Sequence, residues 1–336
     1  MTGWVIWLQF AVCVALIGVA GVQLTRHGDA IADKTGIGGS WIGLVLIATV
    51  TSLPELASGI SAVTLANVPD IAVGNVLGAC VLNLSILALL DLLHRGEPIY
   101  RGANRSHILT AGFGVVLLGL TGFGLLTGDV ASGWVIGHVA FYSPLLLLGY
   151  AVAIRAVYHY ETTHVAAFAE AEPDRYPGMT LQSAVLRYAA AAAVVVGAAL
   201  ALPFVGDGIA QQMGWSESFV GTLFIAFVTT LPELVVTISA LRIGAVDMAI
   251  GNLLGSNLFN LLVLAVDDVL FLPGSLLAAA SPAHAVTAFA VLMMTGVVIA
   301  ALFYRPQVRL FHTIGWPSTV LLGIAALNGY VVFLHG

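Results

Sequence analysis

The chain has 336 residues, of which 60% are hydrophobic and only 8% are charged, and its mean hydropathy is +1.02. A soluble protein carries about 25% charged residues, so this composition excludes a water-soluble globular domain and predicts a surface that faces the lipid bilayer. The net charge of −6 and the lack of a basic patch in the sequence exclude a nucleic-acid-binding protein.

Apolar runs of about 20 residues recur along the chain, and each is long enough to cross a hydrocarbon core about 30 Å thick. The first run lacks the basic segment and the small-residue cleavage site of a signal peptide, so we interpret it as a membrane helix. The ten predicted spans are residues 4–24, 40–66, 71–93, 106–127, 133–157, 183–203, 217–241, 247–272, 283–304 and 314–334.

The positive residues test this count, because loops alternate between the two sides of the membrane and cytoplasmic loops are enriched in Lys and Arg. With ten spans, all eleven Lys and Arg residues fall on one face. The sequence therefore predicts an all-α membrane protein with ten transmembrane helices and both termini outside. Its predicted parts are a first five-helix repeat at 1–158, a cytoplasmic linker at 159–182 and a second five-helix repeat at 183–336.

Two segments, residues 43–93 and 221–272, share a pattern: T-[ST]-L-P-E-L, then I-S-A, then D-[IM]-A-[VI]-G-N and a closing asparagine. The glutamate and the closing asparagine are 28 residues apart in the first segment and 27 in the second, and the extra residue is expected in the turn before Asp70. Five spans, an odd number, separate the two segments, so they cross the membrane in opposite directions. This predicts an inverted repeat with a substrate site near the midplane, on broken helices.

Each segment places a glutamate, Glu55 or Glu233, at membrane depth, where an acid costs about 2.5–3.5 kcal/mol and usually marks a functional site. A proline precedes each glutamate and is expected to free backbone carbonyls near 48–50 and 226–228. The hydroxyls within one turn belong to Thr51, Ser52, Thr229 and Thr230. Carboxylate, hydroxyl and carbonyl oxygens together suit a hard cation such as Ca²⁺.

The helix that follows each glutamate adds further polar groups. Ser256 and Asn260 are four residues apart and share a helix face, as do Ala79 and Asn83. G-x-x-x-G pairs in both segments predict that these helices approach their neighbours closely. Asp91 and Asp268 occupy matching positions near helix ends, where caps or partners of a loop arginine are expected.

These motifs resemble the paired alpha repeats of the Ca²⁺/cation antiporter superfamily, and most closely the prokaryotic sodium/calcium exchanger family. The resemblance implies a multi-pass protein of the cytoplasmic (inner) membrane that exchanges Ca²⁺ for Na⁺ by alternating access, without enzymatic activity or a cofactor. It implies a central group formed by Glu55, Glu233, Asn83 and Asn260. Flanking Na⁺ ligands would be Thr51, Ser52, Thr229, Thr230, Ser256 and the carbonyls of Ala48 and Ala226.

Two positions depart from the family pattern. Asn260 stands where exchangers with a central Na⁺ site commonly carry Asp, and the first segment has Gly-Ala-Cys at 78–80 where Gly-Ser-Asn is usual. Both changes favour fewer coupling ions than three Na⁺, with an electroneutral cycle.

Other functions stay open at this point. The alternatives are H⁺-coupled exchange of Ca²⁺ or of another divalent cation and, less favoured by an inverted repeat, a cation channel. Inorganic cations and the lipid bilayer are the expected partners, and the sequence leaves the oligomeric state open.

Overall fold

The computed structural model describes residues 3–35, 47–94, 97–127, 135–164, 176–310 and 313–335. Within these ranges, ten helices have nine or more residues, and we number them in chain order. They are α1 (Gly3–Lys34), α2 (Leu53–Ser61), α3 (Pro69–Leu93), α4 (Ser106–Thr127), α5 (Tyr142–His164), α6 (Leu181–Met213), α7 (Leu231–Arg242), α8 (Val246–Leu270), α9 (His284–Tyr304) and α10 (Trp316–His335).

Shorter elements join these helices. The short α-helices are Ile99–Gly102, Glu217–Phe219, Ala226–Thr229 and Leu276–Ala279, and Ala62–Ala66 and Val220–Ile225 are π-helical. Two antiparallel hairpins pair β1 (Val135–Ile136) with β2 (Val139–Ala140), and β3 (Arg309–Leu310) with β4 (Ile314–Gly315). The first hairpin occupies part of the predicted span 133–157, so α5 begins later than the apolar run does.

The described residues contain seven helices that are long and apolar enough to cross a membrane: α1, α3, α4, α6, α8, α9 and α10. Residues 217–229 and α7 pass the same test together as one span that is bent by 46°. These helices confirm a mostly helical, multi-pass membrane protein. Part of the predicted span 40–66 lies outside the described residues.

Helices α1 and α6 are longer than the apolar runs that predicted them. Those runs end at residues 24 and 203, whereas the helices continue to Lys34 and Met213. The two helices pack along each other, with Leu24 of α1 and Val195 of α6 in one buried cluster. Hydropathy detects only the part of a helix that crosses lipid, whereas the packing of the two helices against each other stabilises the helical conformation beyond it.

The centre of the protein is formed by α3 and α8, which are the most buried of the apolar helices. They pack against each other, and α3 also contacts α9, α10 and the helical residues 220–229. A helix that is apolar on all sides is stable in such a position because every face meets another helix.

The helices that carry the two glutamates are broken directly before their Leu-Pro-Glu sequences. Ser52 has φ −88° and ψ 11°, and Thr230 has φ −78° and ψ 0°, so neither continues a regular α-helix. A proline then lies in the first turn of α2 and of α7, where its missing N–H has no helical partner to lose. The prolines therefore stand at new helix starts, and Glu55 and Glu233 lie in the first turns.

The extra residue of the first repeat lies in a helix and not in the turn where we expected it. After Ser61 the first repeat continues as the π-helix Ala62–Ala66 and then turns at Asn67, which has φ 54°. In the second repeat α7 stays α-helical up to Arg242. A π-helical stretch accommodates an inserted residue without ending the helix, so the two repeats regain register at the start of α3 and α8.

Asp268 holds the C-terminal end of α8 through four hydrogen bonds. Its carboxylate accepts from the backbone N–H of Ala140 (3.1 Å) and Leu276 (2.8 Å) and from the hydroxyls of Tyr142 and Ser143 (both 2.5 Å). The bonds join α8 to β2, α5 and the following short helix, as expected for a structural carboxylate.

Asp91 repeats this arrangement at the end of α3. It accepts from the backbone N–H of Ile99 (3.2 Å) and Gly315 (2.8 Å) and from the Ser318 hydroxyl (2.8 Å), and Arg309 lies 3.7 Å away. In both repeats the aspartate accepts from the backbone N–H of the residue eight positions later in the chain. It also accepts from a backbone N–H in the hairpin of the other half. The aspartates are therefore helix-end anchors, one of them with the loop arginine that we expected.

A second matched pair lies at the opposite ends of α3 and α8. Asp70 accepts from the Ser281 N–H (2.6 Å) and lies 3.0 Å from His284 Nε2, which ties the start of α3 to the start of α9. Asp247 in the same way accepts from the Asn104 N–H (2.7 Å) and lies 3.0 Å from His107 Nε2.

Candidate cation-binding site

The two intramembrane glutamates lie at the centre of the packed helices. Glu55 is 1% exposed and Glu233 is fully buried. Each occupies the first turn of a helix, where the positive end of the helix dipole favours a carboxylate. The sequence folds this way locally because proline is tolerated at a helix start and excluded from a helix interior.

The hydroxyl before each glutamate serves the glutamate of the other repeat. Ser52 Oγ donates to Glu233 Oε1 at 2.9 Å, and Thr230 Oγ1 donates to Glu55 Oε1 at 3.5 Å. The two helix breaks therefore face each other. The structure brings these four predicted residues together in one place.

The remaining predicted hydroxyls lie in the same region. Thr229 is within hydrogen-bonding reach of Glu55, and Thr51 and Ser256 are within reach of Glu233. Thr51 Oγ1 also lies 3.5 Å from Ser256 Oγ. All three hydroxyl-bearing residues are fully buried, so they present oxygens to the site and not to the lipid.

The carbonyls of Ala48 and Ala226 are close to the site but engaged within their own helices. The Ala48 carbonyl accepts from the Ser52 N–H and from Thr51 Oγ1, both at 3.1 Å. The Ala226 carbonyl accepts from the Thr230 N–H (3.0 Å) and lies 3.1 Å from Thr229 Oγ1. The Ala48 carbonyl is therefore open to a cation only if the Thr51 hydroxyl releases it.

Within the set of predicted site residues, four buried side-chain oxygens have no hydrogen-bond partner among the described residues. They are Oε2 of Glu55, Oε2 of Glu233, Oδ1 of Asn83 and Oδ1 of Asn260. Buried oxygens without a donor are rare in folded proteins and call for an explanation. Two carboxylate and two amide oxygens on facing helices are the donor set that a hard cation prefers.

Glycine brings α3 close to the broken helix of the other repeat. A Cβ atom at Gly78 would lie 2.8 Å from Ala226 Cβ and would meet the Thr222 carbonyl. In the second repeat, a Cβ at Gly255 would lie 3.2 Å from Ala48 Cβ. The predicted close approach of these glycines is confirmed.

The sequence matches the family described as sodium/calcium exchanger protein over residues 5–158 and 183–335. Those two regions include both broken helices and both central helices. The chain belongs to the sodium/calcium exchanger family. It is accordingly a multi-pass membrane transporter of cations and not an enzyme.

Relatives of known name align with nearly the whole chain. The sodium/calcium exchanger MaX1 of Methanosarcina acetivorans is 27% identical over 337 residues, which cover 92% of this chain and 91% of MaX1. The inner membrane protein YrbG of Escherichia coli is 27% identical over 300 residues, which cover 87% of this chain and 84% of YrbG.

Solved transporter structures share the fold. The H⁺/Ca²⁺ exchanger CAX superposes with a TM-score of 0.69 at 15% identity, covering 98% of this chain and 86% of CAX. The sodium-calcium exchanger NCX_Mj superposes with a TM-score of 0.60 at 19% identity, covering 96% of this chain and 97% of NCX_Mj. At these identities the likeness establishes the fold alone.

Sequence reasoning missed one residue that organises the site of this family member. Asn257 Oδ1 accepts from Asn83 Nδ2 at 3.0 Å, and Asn257 Nδ2 donates to the Cys80 carbonyl at 3.4 Å. Because the Nδ2 of Asn83 faces Asn257, the amide oxygen of Asn83 points away from Asn257. A signal for it was present in the sequence, because Asn257 is the third residue of Gly-Ser-Asn in the second segment and Cys80 takes that place in the first. We compared only the second position of this motif, Ala79 with Ser256.

Asn75 links the two repeats in a similar way. Its amide nitrogen donates to the backbone carbonyl of Glu55 at 3.4 Å, and its oxygen accepts from Thr229 Oγ1 at 2.9 Å. Asn75 therefore holds the backbone that carries one glutamate and positions a hydroxyl from the other broken helix.

Proposed function

We propose that the chain exchanges Ca²⁺ for Na⁺ by alternating access at the Glu55–Glu233 site, in the cytoplasmic membrane of a prokaryote. The observation that carries the proposal is the set of four buried oxygens without partners, on Glu55, Glu233, Asn83 and Asn260. Transported Ca²⁺ and Na⁺ are cargo, and no cofactor is required. Membership of the sodium/calcium exchanger family and the relatedness to MaX1 support the choice of ions.

The charge of the site supports a low number of coupling ions. Two carboxylates balance one Ca²⁺ or two Na⁺, and Asn260 adds an amide where a third acid would add charge. Ala79 offers no hydroxyl opposite Ser256, which weakens one flanking position. The exchange is therefore electroneutral in this proposal, with two Na⁺ for one Ca²⁺.

The architecture that we propose has ten spans in two inverted five-helix repeats, at 1–158 and 183–336, with a cytoplasmic linker at 159–182 between them. Matched features support it: the helix breaks at Ser52 and Thr230, and the helix-end networks of Asp91 and Asp268. An even number of spans leaves both termini on the same side. The positive residues then place that side outside.

A tag at the C-terminus is expected to be accessible from outside the cell, because all eleven Lys and Arg residues then lie on the cytoplasmic face. Labelling of intact cells with an impermeant reagent measures this, and a tag inserted in the linker 159–182 is the internal control. Labelling of the linker tag and not of the C-terminal tag would contradict the proposed orientation.

Proton coupling is the second candidate for the driving ion. The fold is shared with the H⁺/Ca²⁺ exchanger CAX at a TM-score of 0.69, and two protons on the same two glutamates balance one Ca²⁺ as well as two Na⁺ do. This alternative keeps the site and changes only the counter-ion.

Proteoliposomes that contain the purified protein distinguish the two candidates. We expect an outward Na⁺ gradient at equal pH to drive Ca²⁺ uptake and an outward H⁺ gradient without Na⁺ to drive little or none. Uptake should not change when a potassium ionophore imposes a membrane potential, since the proposed cycle is electroneutral. Uptake with the H⁺ gradient alone would replace Na⁺ by H⁺, and flux without any counter-ion would contradict antiport.

A further inference from the structure

A further buried acid, Asp267, lies inside the protein without the hydrogen bonds that hold the neighbouring Asp268. Asp267 is fully buried, and neither carboxylate oxygen has a hydrogen-bond partner among the described residues. The next residue, Asp268, uses its two oxygens to accept four hydrogen bonds. The two adjacent aspartates of α8 therefore differ in role. Asp268 anchors the end of the helix, and Asp267 takes no part in those hydrogen bonds.

Asp267 lies against Gly59 of α2. A Cβ atom at Gly59 would come within 2.7 Å of Asp267 Oδ1 and 2.8 Å of its Cγ, so the acid occupies the space that the glycine leaves. Gly59 follows Glu55 by four residues, and Asp267 follows Asn260 by seven, so both lie on the helix faces that carry the candidate site. Gly59 is about one turn from Glu55 along α2, and Asp267 is about two turns from Asn260 along α8.

Asp267 and Gly59 both differ from the residues at the matching positions of the other repeat. Leu90 matches Asp267 and Thr237 matches Gly59, whereas the aspartates at both ends of α3 and α8 have mates in both halves. One half therefore has both the acid and the space for it, and the other half has neither. The inverted relation of the halves puts the acid on one side of the Glu55–Glu233 site only.

A proton suits Asp267 better than a metal ion does. An ionised carboxylate without a partner is unstable in a dry interior, whereas the neutral acid needs no counter-charge. A hard cation needs about six oxygen ligands. Among the described residues no hydroxyl or amide group is hydrogen-bonded to the Asp267 carboxyl group, whereas hydroxyl oxygens surround Glu55 and Glu233. One carboxyl group is enough to bind a proton.

Among the neighbouring groups, acids dominate. Asp268 is the charged group that acts directly on Asp267, and Glu55 is the titratable residue of α2. Tyr142 of α5 already donates to Asp268. On α3, Cys80 lies beside Asn260 and Asp70 is bonded to His284.

The bases of α4 and α7 lie toward the other end of α8. His107 of α4 pairs with Asp247 in the first turn of α8, and Arg242 of α7 precedes that turn. Asp267 is in the last turn, so the length of the helix separates it from both bases.

Two further bases lie on elements that contact α8. Arg155 of α5 lies beyond Tyr150, whose ring contacts Phe259 in the middle of α8. His138, in the first hairpin, is exposed and its Nε2 lies 2.8 Å from the Val269 carbonyl, at the end of the helix. Among the described residues, neither base is bonded to the Asp267 carboxyl group.

We propose that Asp267 is a proton-binding site of the transport path. The carboxyl group takes up a proton from water before α2 and α8 close around it, and it returns that proton to the same side when this side of the site opens, so the exchange of two Na⁺ for one Ca²⁺ stays electroneutral. The inference rests on the proposed function for its link to transport and makes the exchange rate depend on pH through a group outside the ion site.

The test uses Asp267→Asn, which keeps the shape and removes the titratable proton, with Asp207→Asn as the matched control. Asp207 lies in α6, where it accepts from Gln211 at 2.8 Å and 3.0 Å, away from the ion site. Na⁺-driven Ca²⁺ uptake in proteoliposomes is measured from pH 6 to 9. Asp267→Asn should flatten the pH profile of the uptake rate, and Asp207→Asn should match the wild type.

Infrared spectroscopy of the purified protein tests the protonation without transport. The wild type should show the carbonyl band of a buried neutral carboxylic acid that Asp267→Asn lacks and Asp207→Asn retains. Gly59→Ala should shift this band, because the new methyl group displaces the carboxyl group. If Asp267→Asn leaves the band and the pH profile unchanged, the inference is wrong. A wild type that shows the band but moves no Ca²⁺ contradicts the proposed function and not the protonation of Asp267.

Discussion

Glu55→Gln and Glu233→Gln are each expected to lower Ca²⁺ transport by about 100-fold or more. Each change removes one of the two charges that balance Ca²⁺ and one carboxylate oxygen that has no partner in the described part of the protein. Loss of even an outer-shell partner of a metal ligand costs about 10- to 100-fold in affinity, and a direct ligand should cost at least as much. Initial rates of Ca²⁺ uptake into proteoliposomes measure the effect.

Glutamine has nearly the shape of glutamate, so these variants separate charge from packing. In the Glu233→Gln variant, the Ser52 hydroxyl can still donate to the side-chain amide oxygen, as it does to the carboxylate at 2.9 Å. Glu97→Gln is the matched control, since Glu97 is exposed and pairs with Arg101 in a loop. Both intramembrane variants should elute as monodisperse protein, like the control. Wild-type uptake by either of them would remove the Glu55–Glu233 site from the proposal.

Much of this site could be predicted from the repeat in the sequence. Two nearly identical short motifs at membrane depth identify Glu55 and Glu233, and helical spacing places Asn83 and Asn260 on the facing helices. The inverted repeat that the sequence predicts would bring the two motifs together, and Ser52 of one motif does donate to Glu233 of the other. Periodicity and symmetry carry information across the whole length of the chain, which single residues do not.

What could not be predicted depends on three-dimensional contacts without a sequence signal. Hydropathy ends α1 at the lipid boundary, although the helix continues to Lys34. The engagement of the Ala48 carbonyl by Thr51 depends on a side-chain rotamer. Asp267 has no counterpart in the other repeat, where Leu90 takes its place, and only its contact with Gly59 shows that it is enclosed.

The two adjacent aspartates of α8 also give the second large prediction. Asp268→Leu is expected to destabilise the protein by several kcal/mol, because it leaves the N–H groups of Ala140 and Leu276 and two hydroxyls without their acceptor. Each buried donor that loses its partner costs about 1–3 kcal/mol. For a large domain this corresponds to a fall in Tm of roughly 10 °C, which thermal unfolding in detergent measures.

Asp267→Leu is the matched control for that change, and it should leave Tm unchanged or raise it. Asp267 accepts no hydrogen bond from the described residues, and leucine is the residue that the other repeat carries at this position, as Leu90. Replacing a buried unpaired acid by an apolar side chain removes a desolvation cost. An equal fall in Tm for both variants would mean that Asp267 is a structural anchor like Asp268. A fall for Asp268→Leu alone would leave the acid beside Gly59 with no stabilising role and would favour a role in transport.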